Sequence, residues 1–413
     1  MILIVKGYIR KIKRVMGNLF DLKFGDLDLK DSFAVIVSHS DYLNSMGGTE
    51  KYIYEQVQYL RSKKNIDVIQ IFPYSRRFFL DNKKTFYGVN LNEQFLGYYR
   101  VEEIVKKFLG NKKIIEGLYI HHLMYWQYLD FDVLLMNLKK HDVKMVYYMH
   151  DFFSFTPSVY KIYLSYNVRE EQIYSVDHNY DIVDRLSSKD EVILWRNKFD
   201  FILSNMELIV VPSVYLKNIA KKVFPNEEKK IIDVGHLKLL KKDQVNKTVK
   251  EKIKIAYLGY KSNFKGWKTW QKLYLDRNLN SKYEFFHIGS VENYSRNVSC
   301  YGYSFIEGGI DAAVKLLNSK NIDIVILWSI VPESYSYTLH EAIAAGVPII
   351  TNKRSGNIYY VVQSLGFEVG IVLNDEKELY EFLNDYNRVK DLVEMKRYRY
   401  DLKFNENVNG KWE

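Results

Sequence analysis

A chain of 413 residues, 47% hydrophobic and 27% charged, has the makeup of a folded protein with room for two cores of ordinary size, which excludes an intrinsically disordered chain. Its one cysteine, Cys300, excludes an internal disulfide framework. No apolar run approaches the roughly 18 residues that span a bilayer, and the opening MILIV is too short for a signal core, so a cytoplasmic location is expected. The formal charge of +10 calls for an anionic partner without choosing among nucleotide diphosphates, anionic lipid and nucleic acid.

Residues 6–23 place Ile9, Ile12, Met16, Leu19 and Phe20 on one helical stripe among Lys6, Arg10, Lys11, Lys13 and Arg14. That pattern suits a membrane surface as well as packing on a neighbouring domain. FAVIVSHS, residues 33–40, is the first predicted strand. Gly47 and Gly48 follow it, where the missing side chains let the backbone pass close to a bound anion or sugar. A helix is predicted from about Thr49 to Lys64; Glu50 and Lys51 begin it and receive no chemical role. IDVIQIF at 66–72 reads as a second strand, and Arg76 to Lys113 as a variable basic region with helical stretches. IEGLYIHH and KMVYYMHD put His121, His122, His150 and Asp151 at strand carboxyl ends, where open α/β sheets bind ligands. The His150 imidazole can accept or donate, which suits a hydroxyl-rich ligand. Asp130 and Asp132 form a D-x-D ahead of VLLMNLKK and read as helix caps, because two carboxylates alone make a poor cation site. No metal site is expected. Tyr160 to Lys198 has no clear period; MELIVVPSVYLKNIAKKVF then gives a strand, a cap and an amphipathic helix, and IIDVGH closes a first domain.

Residues 237–252 are charged and lack large aromatics, so they read as a linker. IKIAYLG opens the second domain, and Lys265 at the next helix start is the best phosphate ligand in the chain, adding a full charge to the helix dipole. YEFFHIG and VSCYGY are further strands, and FIEGGIDAAVKLLNSK a helix. Ile322 to Trp328 reads as a strand buried on both faces. Its loop carries Pro332 and Glu333, then Ser334 or Ser336 caps a helix with Leu339, Ala342 and Ile343 inward and Glu341 along it; Gly346 and Pro348 end that helix. One helix, a strand and two helices to about Asp401 complete the pattern.

Glu333 and Glu341, separated by seven residues and followed by Ala-x-Ala-x-Gly-x-Pro, resemble the signature of retaining glycosyltransferases of family 4 (group 1). Gly259, Lys265 and Gly266 match that family's phosphate loop, with Tyr260 where arginine is usual and Lys261 beside it to substitute. Ser334 and Ser336 stand where the family commonly has glycine. HDFFSFTP resembles its His-Asp segment, and Gly47-Gly48 its glycine-rich loop. The resemblance implies an α/β protein of GT-B fold, two Rossmann-like domains facing a central cleft. The expected divisions are 1–30 as a basic extension, 31–236 on the acceptor side, 237–252 as linker, 253–385 for the nucleotide sugar, and 386–413 crossing back to the first domain.

It further implies transfer of a sugar from a nucleotide-diphosphate sugar to an acceptor hydroxyl, lipid-linked, protein-linked or glycan, without a metal or other cofactor. Glu333, His150 and Lys265 would be catalytic. Gly47, Gly48, Gly259, Lys261, Lys265, Gly266, Ser334, Tyr335, Ser336 and Glu341 would bind the donor. Surface polysaccharide, glycolipid or glycoprotein glycan assembly is the expected setting, and the pattern of residues 6–23 suits contact with the inner face of the cell membrane as well as packing on a neighbouring domain. The alternatives are a non-catalytic subunit of the same fold and a sugar-nucleotide epimerase. No patch interleaves basic residues with stacking aromatics, so nucleic acid is not an expected partner.

Overall fold

The computed structural model describes residues 29–44, 47–77, 79–81, 85–110, 113–157, 189–249, 251–289, 291–292 and 294–409. The stripe at residues 6–23 lies outside them, as does most of the stretch that begins at Tyr160. The chain forms two compact units, one running to Val234 and resuming at Glu406, the other Gly235–Asn405.

The first unit is built on β1 (Ser32–Val37), β2 (Asp67–Pro73), β3 (Tyr87–Leu91), β4 (Gln94–Tyr99), β5 (Ile114–Ile120), β6 (Met145–Tyr148), β7 (Leu208–Val211) and β8 (Ile231–Asp233). Their order is β4-β3-β2-β1-β5-β6-β7-β8. From β2 to β8 the neighbours are parallel. Apolar runs such as FAVIV and MVYY carry no polar alternation because helices cover both sheet faces, and Phe33 to Val37 are wholly buried. An aromatic cluster joins Phe79, Phe153, Trp195 and Phe199, with Phe79 stacked on Phe199 at 5.3 Å. That cluster is part of the core of this unit.

Two expectations for this unit are corrected. The region after Arg76 keeps its expected helical stretch at residues 101–109 but also holds the antiparallel hairpin β3–β4, turned at Asn92 and Glu93 with Asn92 at φ 52°; asparagine tolerates that conformation, and a two-residue turn selects it. Asp130 and Asp132 lie inside the helix Tyr128–Leu138, capped by Gln127, and Asp130 Oδ2 accepts from the Tyr87 hydroxyl at 2.8 Å.

The second unit contains β9 (Leu237–Val245), β10 (Ile253–Leu258), β11 (Tyr283–Ile288), β12 (Val298–Tyr301), β13 (Ile324–Leu327), β14 (Ile349–Asn352), β15 (Gly370–Leu373) and β16 (Arg397–Phe404). The central sheet is wholly parallel in the order β12-β11-β10-β13-β14-β15. Counted from β10 this is the doubly wound order 3-2-1-4-5-6, whose switch point lies between β10 and β13.

Here the expected linker is largely strand: β9 pairs antiparallel with β16, and Leu237 and Leu402 pack with Ala344 while the other face stays charged and wet. A charged segment forms a strand when every second side chain finds an apolar floor. The same pairing makes Arg397–Phe404 a strand where helix was expected. FIEGGIDAAVKLLNSK is divided into Phe305–Gly308 and Ala312–Ser319, with Gly309 at φ 77° between them.

Candidate functional site

In the second unit the loops that leave β10 and β13 flank the switch point and carry Lys265 and Glu333. Lys265 closes a short 3₁₀ turn, and Gly266, at φ 79°, caps the helix Trp267–Leu275. A Cβ on Gly266 would stand 2.1 Å from the Trp328 carbonyl oxygen, so glycine is what lets this turn press against the end of β13. The two loops are stitched together: Ile330 N and Ser329 Oγ both donate to Phe264 O, at 2.8 and 3.0 Å. Glu333 is pinned from the far side, its N–H donating to Ser355 O at 3.2 Å and its carbonyl accepting from Asn357 N at 2.7 Å. Gly356 must lack a side chain there, since a Cβ would lie 2.6 Å from Glu333 N.

These constraints bring the two predicted residues into contact. Lys265 Nζ donates to Glu333 Oε1 at 2.9 Å. Burial alone would lower the lysine pKa, but the charge of Glu333, then Tyr260, the hydrogen bond to Glu333 and the charge of Glu341 outweigh it and raise the pKa. Lys265 is therefore an ammonium. Glu341 is buried on the helix Tyr337–Ala344, and the Tyr303 hydroxyl donates to its Oε2 at 3.4 Å. Ser336 caps that helix, its Oγ accepting from Leu339 N at 3.2 Å. Ser334 and Tyr335 precede it: Ser334 is buried, and the Tyr335 hydroxyl accepts from Leu237 N at 3.1 Å while its ring stacks on His340 at 4.6 Å. Gly259, at φ 113°, starts the phosphate-loop segment, its carbonyl accepting from His287 Nε2 at 2.8 Å.

Lys261, expected to stand in for a missing arginine, is otherwise engaged. Its ammonium is 3.0 Å from Glu292 and 4.3 Å from the Tyr294 ring centroid. Tyr260, 61% exposed, instead has its ring 5.6 Å from the Lys265 ammonium. The sequence pattern for this neighbour was visible only as a departure from the expected cation.

The first unit collects its polar residues at the switch between β1 and β5. Gly47 precedes the helix Gly48–Ser62 as its cap. His150 is buried after β6, 3.0 Å from His121 Nδ1, and His121 Nε2 meets Gln56 Oε1 at 2.7 Å. His122 accepts the Met124 N–H on Nδ1 at 2.9 Å, so its Nε2 carries the proton donated to Asp151 Oδ2 at 2.8 Å. Glu50, given no role from sequence, is buried here and holds Gly47 N, Ser40 Oγ and His39 together. Burial lowers the His39 pKa to about 4, aided by His122 and opposed by Glu50 and Asp151. A glutamate three residues after a helix cap is a recognisable signal, but the return of its side chain to His39, eleven residues earlier on the loop that leads into the helix, is not. Among the described residues, no group of three or more His, Cys, Asp or Glu side chains is arranged to hold a metal ion. No described helix is long and apolar enough to cross a membrane.

No family model matches the chain, and no curated protein matches it in sequence. Solved structures do show similarity. One is HepE of Anabaena in complex with UDP and glucose, at 12% identity and a TM-score of 0.46 over 87% of this chain and 92% of that one. A second is the lipopolysaccharide outer core galactosyltransferase WaaB in its apo form, at 12% identity and 0.49 over 88% and 94%. WaaG, a glycosyltransferase of lipopolysaccharide biosynthesis, follows at 10% identity and 0.45 over 87% and 94%.

Proposed function

We propose that the protein is a retaining glycosyltransferase of GT-B type that moves a sugar from a nucleotide-diphosphate sugar to an acceptor hydroxyl. The observation that carries this reading is the Lys265–Glu333 pair at the β10/β13 switch point. An ammonium has three N–H donors, and Glu333 engages one, so a diphosphate oxygen can share the cation without breaking the pair. Neutralising the leaving diphosphate is the electrostatic contribution best placed to lower the barrier. Glu333, fixed at its backbone on both sides, accepts from hydroxyls of the transferred sugar, and Glu341, steadied by Tyr303, accepts from the ribose. Lys261 takes no part in binding phosphate in this reading, because Glu292 and Tyr294 hold it. The glycine pair and His150 serve the acceptor side and the sugar. No metal takes part, and the product belongs to a surface polysaccharide, glycolipid or glycoprotein glycan.

The test is transfer from a panel of nucleotide-diphosphate sugars to glycan and lipid-linked acceptors, with wild type beside Lys265→Ala and Glu333→Ala. Transfer by wild type and its loss in both variants, with folding retained, is the expected result. Full turnover in either variant overturns the assignment. A binding subunit without turnover is the second reading, favoured by the capture of Lys261; it predicts nucleotide-sugar binding without product.

A further inference from the structure

The hairpin β3–β4 borders a cavity lined by none of the expected site residues. Thr85 and Phe86 lead into β3, Arg100 follows β4, Glu102 and Glu103 lie on the short helix Val101–Ile104, and Asp130 stands in the first turn of the helix Tyr128–Leu138; together they line a hollow of about 410 Å³. Its size is that of a small-ligand cleft, roughly 300–1,000 Å³. Tyr87 pairs with Pro73, at the end of β2, and with Tyr99, at the end of β4. The hollow therefore lies at the rim where the parallel strands of this unit end, the rim at which open α/β sheets bind ligands.

The lining holds opposite charges apart. The Arg100 guanidinium is 5.6 Å from the centroid of the Phe86 ring and forms no ion pair among the described residues, although three carboxylates line the same hollow. Glu103 Oε2 accepts from Arg100 N at 2.8 Å and Asp130 Oδ2 from the Tyr87 hydroxyl at 2.8 Å, so the second oxygen of each has no hydrogen-bond partner among the described residues. Burial raises the Asp130 pKa, the Tyr87 hydrogen bond opposes the rise, and the charge of Glu102 adds to it. Thr85 is only 6% exposed, and its hydroxyl has no partner among the described residues either. A buried hydroxyl left unpaired is costly, and such groups mark places completed by something bound. Phe86, 43% exposed, adds an apolar face.

Charge chooses among ligands. The three carboxylates repel a nucleotide diphosphate, and Arg100 repels a bare cation. A neutral sugar ring answers each group in turn: its hydroxyls donate to the carboxylates, its oxygens accept from Arg100 and Thr85, and its C–H face covers the Phe86 ring. We propose that this hollow is a saccharide subsite that grips a neutral sugar unit of the acceptor. The word acceptor rests on the transferase reading above, whereas saccharide binding does not.

Calorimetric titration of the full chain with neutral trisaccharides of glucose, galactose and mannose tests the subsite, with a free-amine glucosamine trimer and a galacturonate trimer as charged controls. Wild type should bind at least one neutral trisaccharide more tightly than either control. Phe86→Ala and Glu102→Gln change exposed side chains, so folding is spared, and each should weaken that binding about tenfold, the factor expected of one hydrogen bond to a charged group. Thr85→Val keeps the shape, removes the hydroxyl and should weaken it severalfold. In transfer assays the acceptor KM should rise in the same variants. No neutral trisaccharide bound by wild type, tighter binding of a charged control, or wild-type affinity in both Phe86→Ala and Glu102→Gln overturns the proposal. Saccharide binding that these variants lose, in a protein that transfers from no nucleotide sugar, keeps the saccharide site and overturns the transferase reading instead.

Discussion

Replacing Lys265 by Ala tests the nucleotide-sugar reading where it is most exposed to failure. The ammonium lies 2.9 Å from Glu333, and the side chains are 27% and 16% exposed. At that separation two unit charges attract by roughly 6 kcal/mol at an effective dielectric of about 20. Desolvation and the ordering of a long lysine side chain offset most of that, leaving a net coupling of about 1–2 kcal/mol, between the exposed and buried extremes. Glu333 cannot turn aside to solvent as a whole, because Ser355 and Asn357 hold its backbone. Urea unfolding of wild type, both single mutants and the double mutant returns this coupling. Binding supplies the sharper sign. Losing the charge-assisted contact should weaken nucleoside diphosphate binding by about 1.5–3 kcal/mol in Lys265→Ala, roughly tenfold to a hundredfold. Glu333→Ala should hold or tighten that binding, since the ammonium loses its internal competitor, yet it should still lose transfer. Calorimetric titration with a panel of nucleoside diphosphates compares the three proteins. Equal affinity in Lys265→Ala and wild type refutes the reasoning.

Other outcomes follow from single contacts. Burial holds His39 at about 4 and, with a smaller contribution from His340, His236 at about 3, both below the ordinary 6.5. Between about pH 6.5 and 4 the unfolded chain binds protons that the folded chain refuses, so stability should fall by a few kcal/mol as pH drops through that window. A flat melting profile from pH 7 to 4 would contradict this. Gly266→Ala adds a Cβ 2.1 Å from Trp328 O at a residue with φ 79°, and should cost roughly 2–4 kcal/mol in urea unfolding together with transfer, because the Lys265 turn is pushed off β13. Ser336→Ala removes the cap of the Glu341 helix and should cost about 1 kcal/mol by the same measurement. Transfer should persist in excess chelator; its abolition would show that a divalent ion takes part.

Local patterns were enough for much of this architecture. The apolar runs at β1, β6, β10 and β13 identify buried parallel strands, because a strand covered on both faces has no use for polar alternation. Ser336 as a cap and Gly346 as a stop define the Glu341 helix from sequence, since those jobs are done by residues next to the helix. The hairpin at Asn92 is not legible in the sequence because its turn lacks glycine. The strands β9 and β16 are not legible either, because each takes its conformation from a partner more than a hundred residues away in the chain.

The order of residues along the chain determined that Lys265 and Glu333 would each follow the carboxyl end of a buried strand, because strand, loop and helix periods are local properties that a single segment carries; that the two strands are neighbours is a property of the packed sheet. Tertiary packing alone decided which atoms meet: the 2.9 Å pair and the diversion of Lys261 to Glu292 and Tyr294. A side chain's partner is chosen by how separate loops are pressed together, and that choice is made by the packed sheet beneath them, not by the residues on either side of it in sequence.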